Sequence, residues 1–264
     1  MCKIISVISC KGGVGKTTSA VNISAYLQMQ GKKVCAVDLD AQHNLSRHFG
    51  VWPRPSADKP TITELFRAAI DDCEDEAMAR LVQESICRTA TVDVIPSTVR
   101  LSSLETVIPT VTSRERLLEY ILSFLKENYD YIFLDCHPGL DMFTLNALTA
   151  SDSVLIRWSP CTQQRRLDQV EKMIRTVQRK LNPSLQIEGI IITKFQGRTS
   201  CCGQVYEIVK RDFGNQIHMF EEPVKYAIKV AEAPAFGLSL HEYAPNIDPA
   251  QTYAHIALEV MKGA

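Results

Sequence analysis

Apolar residues in this chain fall into short unbroken runs, separated by longer stretches where they recur every three or four positions. The runs are 3–9 (KIISVIS), 34–37 (VCAV), 92–96 (VDVIP), 131–135 (YIFLD), 153–158 (SVLIRW) and 187–193 (IEGIIIT). A strand with no polar face must be covered on both sides, which is the pattern of a parallel sheet between two helical layers. The spacing of Ala20, Ile23, Ser24 and Leu27 predicts a helix over 19–30. Leu65, Phe66, Ala69 and Ile70 predict another after a start at Thr61–Glu64, and 113–126 a third through Leu117, Leu118, Ile121, Leu122 and Leu125. Leu167, Val170, Ile174, Val177 and Leu181 form one stripe over 163–181, and 201–212 and 250–262 are also helix-like. A short strand is expected near 216–220, surface excursions at 51–63 and 231–249, and an acidic turn or helix end at 71–76. The expected architecture is an α/β/α sandwich with a mostly parallel, doubly wound sheet. No break in composition divides it, so 1–264 is expected to be one domain.

Composition narrows the classes without choosing one. Hydrophobic residues make up 45% and charged residues 22%, ordinary globular usage that argues against disorder. A formal net charge of −1 means any contact with nucleic acid must come from a local basic patch. The nine cysteines are odd in number and irregularly spaced, which suits buried thiols in a reducing cytosol better than a disulfide framework. Cys201-Cys202 has no second nearby pair to complete a zinc or iron–sulfur pattern. The N-terminus lacks the pattern of a signal peptide, and no run approaches the roughly 18 apolar residues of a membrane span.

Chemistry enters at residues 10–17, Cys-Lys-Gly-Gly-Val-Gly-Lys-Thr, between the first strand and the first helix. Such a loop wraps backbone N–H groups round a phosphate while the helix that follows points its positive end at the same anion. Lys16 is placed to reach the β- and γ-phosphates and the Thr17 hydroxyl to bind Mg²⁺. Gly12, Gly13, Val14, Gly15 and Thr18 complete the expected nucleotide contacts, with Cys10 where the plain motif has its first glycine. Lys11 stands five residues before Lys16, where it can reach a nucleotide held by a second copy of the chain. There it would neutralise charge on the transferred phosphoryl group. Asp38 and Asp40 follow one apolar run and would share a face if the strand persisted. Between them they can hold water on Mg²⁺ and orient the attacking water. Asp135 ends a separate apolar run, where a carboxylate belongs if it bonds to Mg²⁺-bound water or to Thr17.

Together these residues resemble the ParA/MinD group of P-loop ATPases with a deviant Walker motif, and within it the ParA/Soj branch. The segments that carry the resemblance are KGGVGKTT (11–18), VDLDAQHNLS (37–46), IFLDCHPGL (132–140), LNPSLQIEGIIIT (181–193), GRT (197–199) and EAPAFG (232–237). It implies a homodimer formed around two ATP molecules with Lys11 acting in trans, Asp40 activating water, Asp38 on the magnesium side and Asp135 as the Walker B acid. It also implies slow Mg²⁺-dependent ATP hydrolysis, non-specific double-stranded DNA binding by the ATP dimer, and stimulation by a ParB-like partner. Plasmid or chromosomal DNA would be segregated in the cytoplasm, on the nucleoid. Cys10, His43, His137 and Lys225-Tyr226-Ala227 depart from the family pattern. The last of these leaves the adenine contacts open.

Charge is unevenly distributed. Residues 54–93 hold five Lys/Arg against nine Asp/Glu, and residues 157–229 hold thirteen against seven. The resemblance places DNA contacts at Arg198 and Lys229, with Lys210 and Lys225 as looser candidates. Residues 250–262 set one lysine, Lys262, beside Ala254, Ala257, Leu258 and Met261, the composition of a core-packing helix and not of a membrane-surface one. Two other readings remain open: an ATPase of this fold that positions a protein cargo, and a nucleotide-gated regulatory module with negligible turnover.

Overall fold

The computed structural model describes residues 2–9, 13, 15–52, 59–139, 141–159, 165–196, 200–214 and 216–263. Strand β1 (Lys3–Ile8) leads to helix α1 (Lys16–Met29), then β2 (Val34–Leu39), α2 (Asn44–His48), α3 (Ile62–Ile70) and α4 (Asp75–Ser85). Next come β3 (Cys87–Arg88), β4 (Asp93–Ile95), α5 (Leu117–Ser123), β5 (Tyr131–Cys136), α6 (Met142–Ala150) and β6 (Ser153–Trp158). The chain continues through α7 (Arg165–Lys180), β7 (Gln186–Phe195), α8 (Ser200–Phe213), β8 (Val224–Lys225), α9 (Ile228–Glu232), α10 (Leu240–Tyr243) and α11 (Asp248–Lys262).

The sheet has eight strands in the order β3-β4-β2-β5-β1-β6-β7-β8. All neighbours run parallel except β3, which pairs antiparallel with β4 at one edge. The order reverses about β1, so helices cover both faces, as the doubly apolar strands require.

Alternation along the strands sorts their side chains into two cores. Ile4 and Ile8 of β1, Cys35 and Val37 of β2, and Ile132 and Leu134 of β5 pack on one side, with residues of α3, α5, α6 and α7. Ile5 and Val7, Val34 and Ala36, and Tyr131 and Phe133 pack on the other, against α1 and α11. Helix α11 buries Tyr253, Ile256, Ala257 and Val260, and Tyr253 Oη lies 3.1 Å from Ser19 Oγ of α1. No helix among the described residues is long and apolar enough to cross a membrane.

The structure corrects the sequence reading in several places. The strand expected near 216–220 is a single bridge between Ile190 and Met219. The helix expected over 113–126 is confined to Leu117–Ser123. Strand β2 stops at Leu39, so Asp40 lies beyond it and the shared-face argument does not extend to that residue. Helices α4 and α6 were not foreseen.

Phe133 is fully buried in the centre of the sheet. Phe133→Ala should lower the unfolding free energy by about 3–5 kcal/mol, measured by urea titration. A loss under about 1 kcal/mol would mean that the α1-side core packs more loosely than this.

Candidate functional site

The site forms where β1, β2 and β5 end beneath the start of α1. Gly13 and Gly15 take φ of +68° and +91°, left-handed values at which a side chain is strained. Helix α1 opens on Gly15 with no side-chain cap and no acidic residue in its first turn, so no carboxylate there competes with an anion for its positive end. Lys11, Gly12 and Val14, and Cys10 before them, lie outside the described residues.

Lys16 and Thr17 converge on one carboxylate. Lys16 Nζ donates to Asp135 Oδ1 at 2.7 Å, and Thr17 Oγ1 donates to Oδ2 at 2.7 Å. Lys16 is 6% exposed and Asp135 fully buried, so the pair is a desolvated one. Burial works against the charge on Lys16, but the Asp135 carboxylate outweighs it and holds the ammonium above its ordinary value. Strand alternation explains the meeting, because Asp135 continues the Tyr131–Phe133 row that faces α1.

Asp38 continues the corresponding row of β2 and sits directly beside Asp135 in the sheet register. It too is fully buried. Its Oδ2 accepts hydrogen bonds from Ser46 N at 2.8 Å and Ser46 Oγ at 2.7 Å, and its Oδ1 accepts one from Asp40 N at 3.1 Å. Burial, then repulsion from Asp135, pushes the Asp38 carboxyl up to about 7. Asp40, 4% exposed, accepts a bond from Gln42 N at 2.9 Å. This donor set suits a divalent cation. Two buried carboxylates lie side by side in register, Asp135 paired with the Lys16 ammonium and each accepting from a hydroxyl, Thr17 on Asp135 and Ser46 on Asp38.

Among the departures from the family pattern, His43, His137 and Lys225 each have a local partner. His43 takes φ +45° as the residue before α2, a conformation in which a glycine would be unstrained, and its Nδ1 lies 3.1 Å from the Ala41 carbonyl. His137 Nδ1 donates to Asp141 Oδ2 at 2.8 Å, and this bond raises the imidazole above its ordinary value. The other oxygen of Asp141 caps α6 through Thr144 N at 2.8 Å. Lys225 pairs with Asp248 at 2.6 Å on the surface.

Of the expected DNA contacts, Lys229 is exposed on α9 and Lys210 on α8, whereas Arg198 lies outside the described residues. Thr18 is half-buried in α1, its carbonyl accepting from Asn22 Nδ2 at 2.7 Å. Sequence reasoning missed three residues here. Ser46 anchors Asp38. Arg157 of β6 is buried with its guanidinium close to Gly15, where a Cβ would lie 3.6 Å from Nη2. Lys194 reaches the Gly13 carbonyl at 2.6 Å. The arginine in the otherwise apolar run SVLIRW was the one visible signal.

The raised Asp38 carboxyl has a consequence for stability. From the ordinary value of 3.8 to about 7, the folded protein keeps a proton that the unfolded chain has released. Stability from this group is therefore present at low pH and lost as pH rises through that window. In nucleotide-free, metal-free protein, Asp38→Asn should shrink the stability difference between pH 5 and pH 8, read by urea denaturation. An unchanged difference would refute the shift.

A family model described as an AAA domain matches residues 2–187. The sporulation initiation inhibitor protein Soj of Bacillus subtilis (strain 168) is 36% identical over 98% of this chain and 98% of its own length. The chromosome partitioning protein ParA of Myxococcus xanthus (strain DK1622) is 34% identical over 98% of this chain and 88% of its own. Among solved structures, a cobyrinic acid a,c-diamide synthase from Mycobacterium smegmatis with bound ATP analogue and magnesium superposes with a TM-score of 0.83. It is 26% identical and covers 99% of this chain and 95% of its own. On these similarities the chain belongs to the ParA/Soj family of P-loop ATPases.

Proposed function

We propose that the protein, as one domain, hydrolyses Mg²⁺-bound ATP to switch a homodimer that binds DNA non-specifically. In this reading it acts in the cytoplasm on the nucleoid, segregating plasmid or chromosomal DNA with a ParB-like partner. The observation that carries the catalytic part is the buried meeting of Lys16 and Thr17 on Asp135 with Asp38 alongside. Similarity to Soj and ParA supports the partitioning part.

Each residue then has a definite task. Lys16 exchanges Asp135 for the β- and γ-phosphates, and the loop N–H groups of residues 12–18 hold the remaining phosphate oxygens. Magnesium, when bound, would neutralise charge developing on the transferred phosphoryl group. Thr17, Asp38 and Asp135 would hold it, directly or through water. Asp40, beyond the end of β2, orients the attacking water, and Lys11 of a second copy offsets charge on the transferred phosphoryl group. Arg198 and Lys229 contact DNA phosphates, so binding weakens as salt rises.

A gel-retardation assay at two salt concentrations, with and without ATP, tests the DNA-binding claim. Binding should require ATP, and Arg198→Ala or Lys229→Ala should each lower the log–log salt slope by about 0.9. Absence of binding at low salt with ATP would remove DNA partitioning and favour a protein cargo. Asp40→Ala should abolish turnover while the ATP dimer persists, and Lys11→Ala should abolish the dimer while the monomer still binds nucleotide. Unchanged turnover in Asp40→Ala would point to a regulatory module instead.

A further inference from the structure

One cation on the phosphate loop comes from β7, two strands away from β1 in the sheet. Lys194 lies near the end of β7 with φ +54°, a left-handed conformation uncommon for a residue with a long side chain. The register of β7 with β8 shifts between Thr193 and Phe195, the residues on either side of it. Such an irregularity turns a side chain out of the strand's ordinary alternation. Here it brings Lys194 Nζ to 2.6 Å from the carbonyl oxygen of Gly13, 181 residues away in sequence.

We propose that Lys194 is a positioning residue for nucleotide binding, which holds the glycine loop in its phosphate-binding shape from outside while Lys16 acts from within. A peptide unit is planar, and its C=O and N–H point in opposite directions. Holding the Gly13 carbonyl on Lys194 therefore restrains the peptide plane to which that carbonyl belongs. Gly13, at φ +68°, has no side chain of its own to restrain it. A charge-assisted bond from a separate element supplies that restraint, and the ammonium adds positive charge beside a loop that receives an anion. The backbone at Lys194 is held in its left-handed conformation by β-pairing on both sides, so the side chain arrives already directed.

This assignment rests on the loop being the phosphate site, and the test separates the two. Lys194→Met keeps the length and the backbone constraint but removes the charge and the donor. Lys194→Arg keeps both. Binding of a fluorescent ADP analogue with Mg²⁺, the KM and kcat for ATP, and the urea midpoint are measured for each. Lys194→Met should weaken ADP binding and raise KM roughly three- to tenfold, the scale of one lost hydrogen bond. Its kcat should stay within about twofold and its urea midpoint should not move, and Lys194→Arg should recover most of the affinity. Wild-type ADP affinity in Lys194→Met would overturn the proposal. So would an affinity loss that tracks lost stability and is not recovered by arginine. Lys16→Ala serves as the control for the site itself. If it leaves ADP binding intact, the loop assignment fails first and this proposal falls with it.

Discussion

The Asp135 carboxylate, held between Lys16 Nζ and Thr17 Oγ1, is the contact on which the rest of the site depends. A buried carboxylate is costly unless paired and hydrogen-bonded, and this one is both. Removing Lys16 would leave the buried carboxylate without its counter-charge, and removing Thr17 would leave one of its oxygens without that donor. Satisfying it requires that β5 present its alternate row to α1 and that α1 begin at Gly15, two residues before Thr17. The same geometry sets Asp38 beside Asp135, and burial with their mutual repulsion holds a proton on Asp38 up to about 7. Phosphate and magnesium, when bound, would give Lys16 a new anion and the carboxylates a cation, which favours release of that proton.

The fold holds this arrangement from both directions. On the α1 side, Ile5, Val7, Ala36 and Phe133 form the floor, and α11 is docked behind through Tyr253 and Ser19. On the other side, α3, α5, α6 and α7 cover the opposite row. Ser46, at the start of α2, reaches back to Asp38 with both its N–H and its hydroxyl and also accepts from Ser97 N at 3.1 Å. The segment after β2 is thereby tied to the Asp38 carboxylate. A change in charge at Asp38 on ligand binding would be felt first along that segment.

Much of this was legible in the sequence because the signals were local. The glycine loop, the apolar runs ending in Asp38 and Asp135, and the stripe of α7 each reveal their element within about a dozen residues. What escaped had a physical reason. Helix α6 is buried nearly all round, with Asn146 bonding to Leu118 N and to the Arg114 and Met142 carbonyls, so it shows no polar face. Helix α4 buries only Met78, Val82 and Ser85 beneath an acidic start, too thin a stripe to stand out. The same-face argument for Asp38 and Asp40 failed because β2 ends between them. Lys194 was invisible because its partner lies 181 residues away and no local period encodes a bulge or a left-handed residue, and Ser46 because the turn that brings it back to Asp38 leaves no apolar pattern. His43 could be seen as a departure, but only the backbone explains why glycine suits that position.

The most direct measurement is a high-resolution structure of the protein with Mg²⁺ and a non-hydrolysable ATP analogue. The account predicts that Lys16 Nζ leaves Asp135 for the β- and γ-phosphate oxygens, while the Thr17 hydroxyl turns to the metal and Asp38 and Asp135 hold its water shell. A nucleotide bound with Lys16 still on Asp135, or with its phosphates away from the start of α1, would contradict it.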